Sequence, residues 1–193
     1  ELGDMVADQG DLAAAQQHLD EALVLAPEQA HLWAYRGEIQ RQRQQYAPAL
    51  DDFTQAITLD DQNAWAIASR GQVYFALYRE EEAFADFDRA IALDPMLAWA
   101  LAGRGECYRL LKRYPEALAD FDRAVALDGE DSWAITQRGQ TYVWLSDYEN
   151  ALADFARALD LDGEAFDARL DRGEIYLLQE AFDNAFADFD QVL

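Results

Sequence analysis

The sequence predicts an all-α protein, a solenoid of stacked helical hairpins, and three observations lead there. First, glycine recurs at a constant step of 34 residues: Gly3, Gly37, Gly71, Gly105, Gly139 and Gly173. Alanine at 15, 49, 83, 117, 151 and 185, and Leu19 followed by phenylalanine at 53, 87, 121, 155 and 189, keep the same step without insertion or deletion. A fixed period of this length is the signature of a repeat architecture. Second, the apolar residues inside one period are spaced as on an amphipathic helix, not in the alternation of a strand. Third, stop signals of Pro, Gly and Asp type separate the periods: Ala-Pro-Glu-Gln at 26–29, Asp-Pro-Met-Leu at 94–97 and Asp-Gly-Glu-Asp at 128–131.

With Gly37 as the eighth position, the full repeats are 30–63, 64–97, 98–131 and 132–165. Residues 1–29 and 166–193 are partial repeats, and the whole of 1–193 reads as one array. Both ends fall inside a repeat and the chain opens Glu-Leu-Gly-Asp, so it reads as a fragment of a longer protein. The first helix of a repeat carries its stripe at positions 3, 4, 7, 8, 10 and 11, as in Ala100, Leu101, Arg104, Gly105, Cys107 and Tyr108. A break is expected near positions 15 to 19, where Pro48 and Pro115 suit a helix start. The second helix has its stripe at positions 20, 21, 24, 27, 28 and 30, as in Ala117, Leu118, Phe121, Ala124, Val125 and Leu127. Glycine at position 8 and alanine at position 20 are expected to face each other where the two helices approach. A hairpin cannot bury such a face alone, so stacked neighbours complete the core.

Composition excludes several functions. About half of the 193 residues are apolar, enough for a core, and the net charge is −23. That charge opposes nucleic acid, whose binding depends on neutralising phosphates, and anionic membrane surfaces. Cys107 is the single cysteine, which removes disulfide frameworks and thiolate-rich zinc sites. Cys107 reads instead as a small buried hydrophobe, and the lone thiol favours the cytoplasm. With His18 and His31 on different repeats and no nucleophile beside a base, no catalytic residue, cofactor or metal is expected.

The period and the residues that carry it, seen in one repeat as Gly71, Tyr74, Ala83, Phe87, Ala90 and Pro95, resemble the tetratricopeptide repeat family. Arg-Gly-Gln-Val-Tyr at 70–74 with Ala-Asp-Phe-Asp-Arg-Ala at 85–90 shows the full pattern, and the resemblance covers the whole chain. Departures are confined to the terminal proline, present at Pro27 and Pro95 only, and to the family's tryptophan, present as Trp33 only. The resemblance implies a right-handed superhelix whose first helices line a concave groove that binds proteins or peptides. It implies groove contacts at positions 2, 5, 6, 9, 12 and 13. Position 2 holds Trp65, Trp99 and Trp133, position 9 holds Glu38, Glu106, Gln140 and Glu174, and position 13 includes Trp144. The lysines of the family's carboxylate clamp are missing from these positions, which opposes a chaperone C-terminal peptide.

Tryptophan is prone to carry binding energy and attracts cations through its ring face. Trp65, Trp99, Trp133, Glu106, Gln140 and Trp144 are therefore the expected contacts for a basic or aromatic-rich partner. The competing reading is that the position-2 tryptophans pack the seam between repeats. A second function class is a structural spacer, a sensor segment or a self-association element acting through the truncated terminal repeats. Its candidates are Phe182, Phe186, Phe189 and Leu193.

Two further series predict an ion-pair ladder. Arg36, Arg70, Arg104, Arg138 and Arg172 precede the glycines, and Asp52, Asp86, Asp120, Asp154 and Asp188 recur at position 23. Lys112 is the only lysine among 15 basic residues. An arginine fork bonds a carboxylate at two points and a lysine cannot, so pairing within or between hairpins is expected to set register.

Overall fold

The computed structural model describes residues 9–192, with side chains from Leu12 onward. Gly3, Asp4 and Leu193 lie outside the described residues. Eleven α-helices and no strand occur among them. The chain divides into two compact units, residues 1–95 and 96–193.

The first unit contains α1 (Gln9–Leu25), α2 (Ala30–Gln42), α3 (Tyr46–Leu59), α4 (Ala64–Ala76) and α5 (Glu80–Leu93). The pairs α2/α3 and α4/α5 are hairpins; α1 packs on α2 and α3 on α4. The second unit contains α6 (Ala98–Leu110), α7 (Tyr114–Leu127), α8 (Ser132–Trp144), α9 (Tyr148–Leu161), α10 (Phe166–Leu178) and α11 (Phe182–Phe189). Its hairpins are α6/α7, α8/α9 and α10/α11, with α7 packed on α8 and α9 on α10. The first helices also touch in sequence, α6 against α8 and α8 against α10.

The stripe of each second helix is the core. Ala83, Phe87 and Ala90 of α5, and Ala151, Phe155 and Ala158 of α9, are buried. Each such phenylalanine contributes roughly 1.5–3 kcal/mol by leaving water. The position-30 leucines lie at the margin: Leu59, Leu127 and Leu161 are exposed. The glycine at position 8 has a different neighbour from the alanine expected. A Cβ on Gly37, Gly105, Gly139 or Gly173 would meet first the ring of Phe53, Phe121, Phe155 or Phe189. The ring packs against the glycine, and the missing side chain is the room it needs.

The turn inside each hairpin is sharper than expected. It occupies positions 14 to 16, with position 15 left-handed in all five hairpins: Gln44, Tyr78, Lys112, Ser146 and Glu180 have φ of 57–60°. In the second hairpin the Tyr78 amide donates to Phe75 O and the Arg79 amide to Tyr74 O; the same pair of bonds recurs at Lys112 and Arg113. This is a Schellman ending, which satisfies the last carbonyls of the first helix and usually employs glycine. Between hairpins, the side chains of Asp60, Asp128 and Asp162 accept from the amides two residues on, at 2.9–3.1 Å. Asn63 and Asp131 then cap α4 and α8, accepting from Ala66 N and Ala134 N at 3.0 Å.

Candidate protein-interaction face

The arginine before each glycine is drawn to the second helix of its own hairpin. Nε and Nη2 of Arg36, Arg70, Arg104, Arg138 and Arg172 donate to both carboxylate oxygens of Asp52, Asp86, Asp120, Asp154 and Asp188, at 2.6–2.9 Å. The aspartates are buried and the arginines half-buried. Arg36 also reaches Asp20 of the preceding repeat at 2.7 Å, and Arg138 reaches Asp122 at 3.0 Å. Arg70 meets the Thr54 hydroxyl there instead, at 3.3 Å. The hydrogen bond to the facing aspartate holds Arg138, like Arg36, well above the usual guanidinium range, against the opposing effect of burial. These arginines are committed to structure.

A second arginine series at position 16 has no precedent in the sequence reading. Arg79 lies 4.5 Å from the Tyr74 ring centroid with Arg70 at 5.7 Å, and Arg113 and Arg104 flank Tyr108 at 4.6 and 5.8 Å. Arg79 and Arg113 also ion-pair with Glu82 and Glu116. The signal for it was a tyrosine at position 11 placed between two arginines in sequence.

The position-2 tryptophans meet different fates. Trp65, half-buried, stands edge-on to Tyr35 at 5.9 Å and to Phe53 at 6.3 Å, so it packs the seam between α2/α3 and α4. Trp99 is half-buried. Trp133 is 48% exposed. Trp144 is 62% exposed, although Tyr114 stacks on it with ring centroids 5.9 Å apart and planes inclined by 7°.

The second unit gathers these residues. Trp133 and Trp144 are 11 residues apart on α8, three helical turns, which puts both on one face about 16 Å apart. Gln137 and Gln140 lie on the same stripe between them. Gln140 donates to Asp171 of α10 at 2.8 Å. Burial raises the Asp171 carboxyl above its ordinary value; the Gln140 bond opposes this, and Glu174 and Asp167 add to it by like charge. Glu106 of α6 belongs to the same set of first helices, but Arg109 already pairs with it, as Arg41 does with Glu38 in the first unit. Glu174 forms no ion pair with a described residue. Unneutralised acid is therefore concentrated on α10. Ser132, Trp133 and Thr136 of α8 also line an open cleft of about 260 Å³ with Asp162, Glu164, Phe166 and Asp167. Among the described residues no group of His, Cys, Asp and Glu side chains is placed to hold a metal ion, and no helix is long and apolar enough to cross a membrane.

Comparisons with known proteins agree with this architecture. Tetratricopeptide repeat models match residues 98–131 and, by a second model, 1–64 and 136–193. No curated protein sequence matches. Among solved structures, YrrB, described as a TPR protein with an unusual peptide-binding site, is 24% identical with a TM-score of 0.70, over 90% of this chain and 89% of its own. A tetratricopeptide repeat protein from Parabacteroides merdae is 24% identical with a TM-score of 0.76, over 96% of this chain and 73% of its own. Pseudomonas aeruginosa PilF is 21% identical with a TM-score of 0.77, over 86% and 75%. At these identities the structures share a fold and nothing further follows from them. The period, the hairpins and the family models together make this chain a member of the tetratricopeptide repeat family.

Proposed function

We propose that this protein is a non-catalytic interaction module that captures a basic or aromatic-rich protein segment on the α6–α8–α10 face. The observation that carries this reading is the α8 stripe: two exposed tryptophans on one helical face, with Gln140 between them and α10 acids alongside. Exposed tryptophans cost solvation in the free protein and are the residues most apt to supply binding energy when covered. A face built from rigid helices loses little entropy on binding, so a few anchors suffice. Trp133, Trp144 and Gln140 are the principal contacts, and Trp99 extends the face on α6. Trp65 and Glu106 contribute less, because Tyr35 and Phe53 already cover the one and Arg109 already neutralises the other. The family's general role as an interaction scaffold supports this reading.

A peptide array at low and high salt tests it, with the Trp133→Ala/Trp144→Ala variant beside the parent protein. The expected result is salt-sensitive capture of Arg-, Lys- or aromatic-bearing peptides that the variant loses. Capture of nothing, or capture untouched by the double substitution, overturns the reading.

A second reading, self-association with no ligand of its own, draws on α11, where Phe182 and Phe186 are exposed. Sedimentation at increasing concentration, with Phe182→Ser/Phe186→Ser as the comparison, decides it. A concentration-dependent dimer abolished by the substitutions supports it, and a monomer throughout removes it.

A further inference from the structure

We infer that the cleft beside Trp133 is an arginine-reading subsite: an arginine side chain of an extended partner segment stacks its guanidinium on Trp133 and is held by the carboxylates of Asp162, Glu164 and Asp167. The inference rests on the peptide-capture reading above and specifies which side chain the face selects.

The cleft is the right size for one side chain. At about 260 Å³ it falls below the roughly 300–1,000 Å³ of sites that enclose small molecules. Its apolar walls are exposed rings, Trp133 from α8 and Phe166 at the start of α10. Its rim holds three acids, none of which forms an ion pair with a described residue. Asp162 spends one oxygen on the Glu164 amide at 2.9 Å. The nearby cation, Arg169, donates to the carbonyls of Gly163 and Gln191, at 2.6 and 3.5 Å, and forms no ion pair with these acids. Three like charges around two aromatic faces call for a flat, multiply donating cation, and guanidinium matches both requirements where ammonium matches one.

Isothermal titration with three acetylated, amidated peptides of alternating glycine tests this, carrying four arginines, four lysines or four citrullines. The indole N–H resonance of Trp133, identified by its loss in Trp133→Ala, is followed in parallel. The arginine peptide is expected to bind at least about tenfold more tightly than the other two and to shift that resonance. Trp133→Ala and Asp162→Asn/Glu164→Gln/Asp167→Asn should each weaken it at least about tenfold. Glu80→Gln/Glu81→Gln/Glu149→Gln, which removes three exposed charges elsewhere, should leave it within about twofold; circular dichroism verifies that each variant is folded. Equal binding of the arginine and lysine peptides, equal weakening by the remote charge variant, or an unmoved Trp133 resonance overturns the subsite. If array capture falls in Trp144→Ala but not in the cleft variants, the cleft fails while the peptide-binding face stands. An array that captures nothing removes both.

Discussion

Trp65 and Trp133 occupy the same position of two repeats built on nearly the same backbone, yet one is covered and the other half open. The difference comes from position 6 of the preceding repeat. Before Trp65 that residue is Tyr35, whose ring meets the indole edge-on. Before Trp133 it is Gly103, which offers no ring. An aromatic series in a repeat protein therefore has no single role. Trp65 is a seam residue because its neighbour supplies a ring; Trp133 has no ring there and is open. The acids follow the same rule: Glu38 and Glu106 have arginine three residues on, whereas Glu174 is followed there by Leu177 and stays unpaired.

The largest expected difference lies in the ladder, between Arg70 and Arg138. Removing one partner of a buried ion pair costs about 3–5 kcal/mol, because the other charge is stranded. Asp86→Ala leaves Arg70 the Thr54 hydroxyl and the Tyr74 ring, whereas Asp154→Ala leaves Arg138 the Asp122 carboxylate. Urea unfolding should place Asp86→Ala at the upper end of that range and Asp154→Ala below it. Equal losses would show that the second carboxylate contributes nothing.

The glycines come next. A Cβ on Gly139 would lie 2.7 Å from the Phe155 ring, and one on Gly37 no nearer than 3.2 Å to Phe53. Overpacking costs about 1–3 kcal/mol, and the helix preference for alanine returns about 1 kcal/mol. Gly139→Ala should thus destabilise by up to about 2 kcal/mol, while Gly37→Ala stays near neutral, read as a shift in thermal midpoint. The reverse order would mean that the rings adjust freely.

Tyr35→Ala turns the first seam into a copy of the second. Losing an edge-on aromatic pair is expected to cost about 1 kcal/mol, and the Trp65 emission should move to the red. An unshifted spectrum would show that Phe53 alone covers the indole.

The smallest effect concerns Asp171. Its carboxyl titrates above the ordinary value of 3.8, so the folded chain holds that proton more tightly than the unfolded chain. Stability is therefore lost as pH rises from about 4 through the folded value. Asp171→Asn keeps an acceptor for Gln140 and cannot ionise, so it should gain on the parent protein across that window. A difference that shrinks as pH rises would contradict this.

The sequence by itself determined the hairpins, their period, the core phenylalanines and the arginine and aspartate series. Each of these is repeated five or more times at a constant spacing, and a constant spacing on a helix dictates which side chains share a face. Position 15 escaped it because Gln44, Tyr78, Lys112, Ser146 and Glu180 share no chemistry; the left-handed turn there is imposed by the two helices it joins. The glycine's neighbour escaped it too, since sequence pairs two small residues readily but does not show a ring filling the space beside a glycine. Only the tertiary structure decided which tryptophans are open, which acids are already neutralised and where three carboxylates meet two rings. Those outcomes depend on what the adjacent hairpin places across a gap of a few ångströms, and the residues that differ between repeats there, Tyr35 against Gly103 above all, acquire meaning only once the hairpins are stacked.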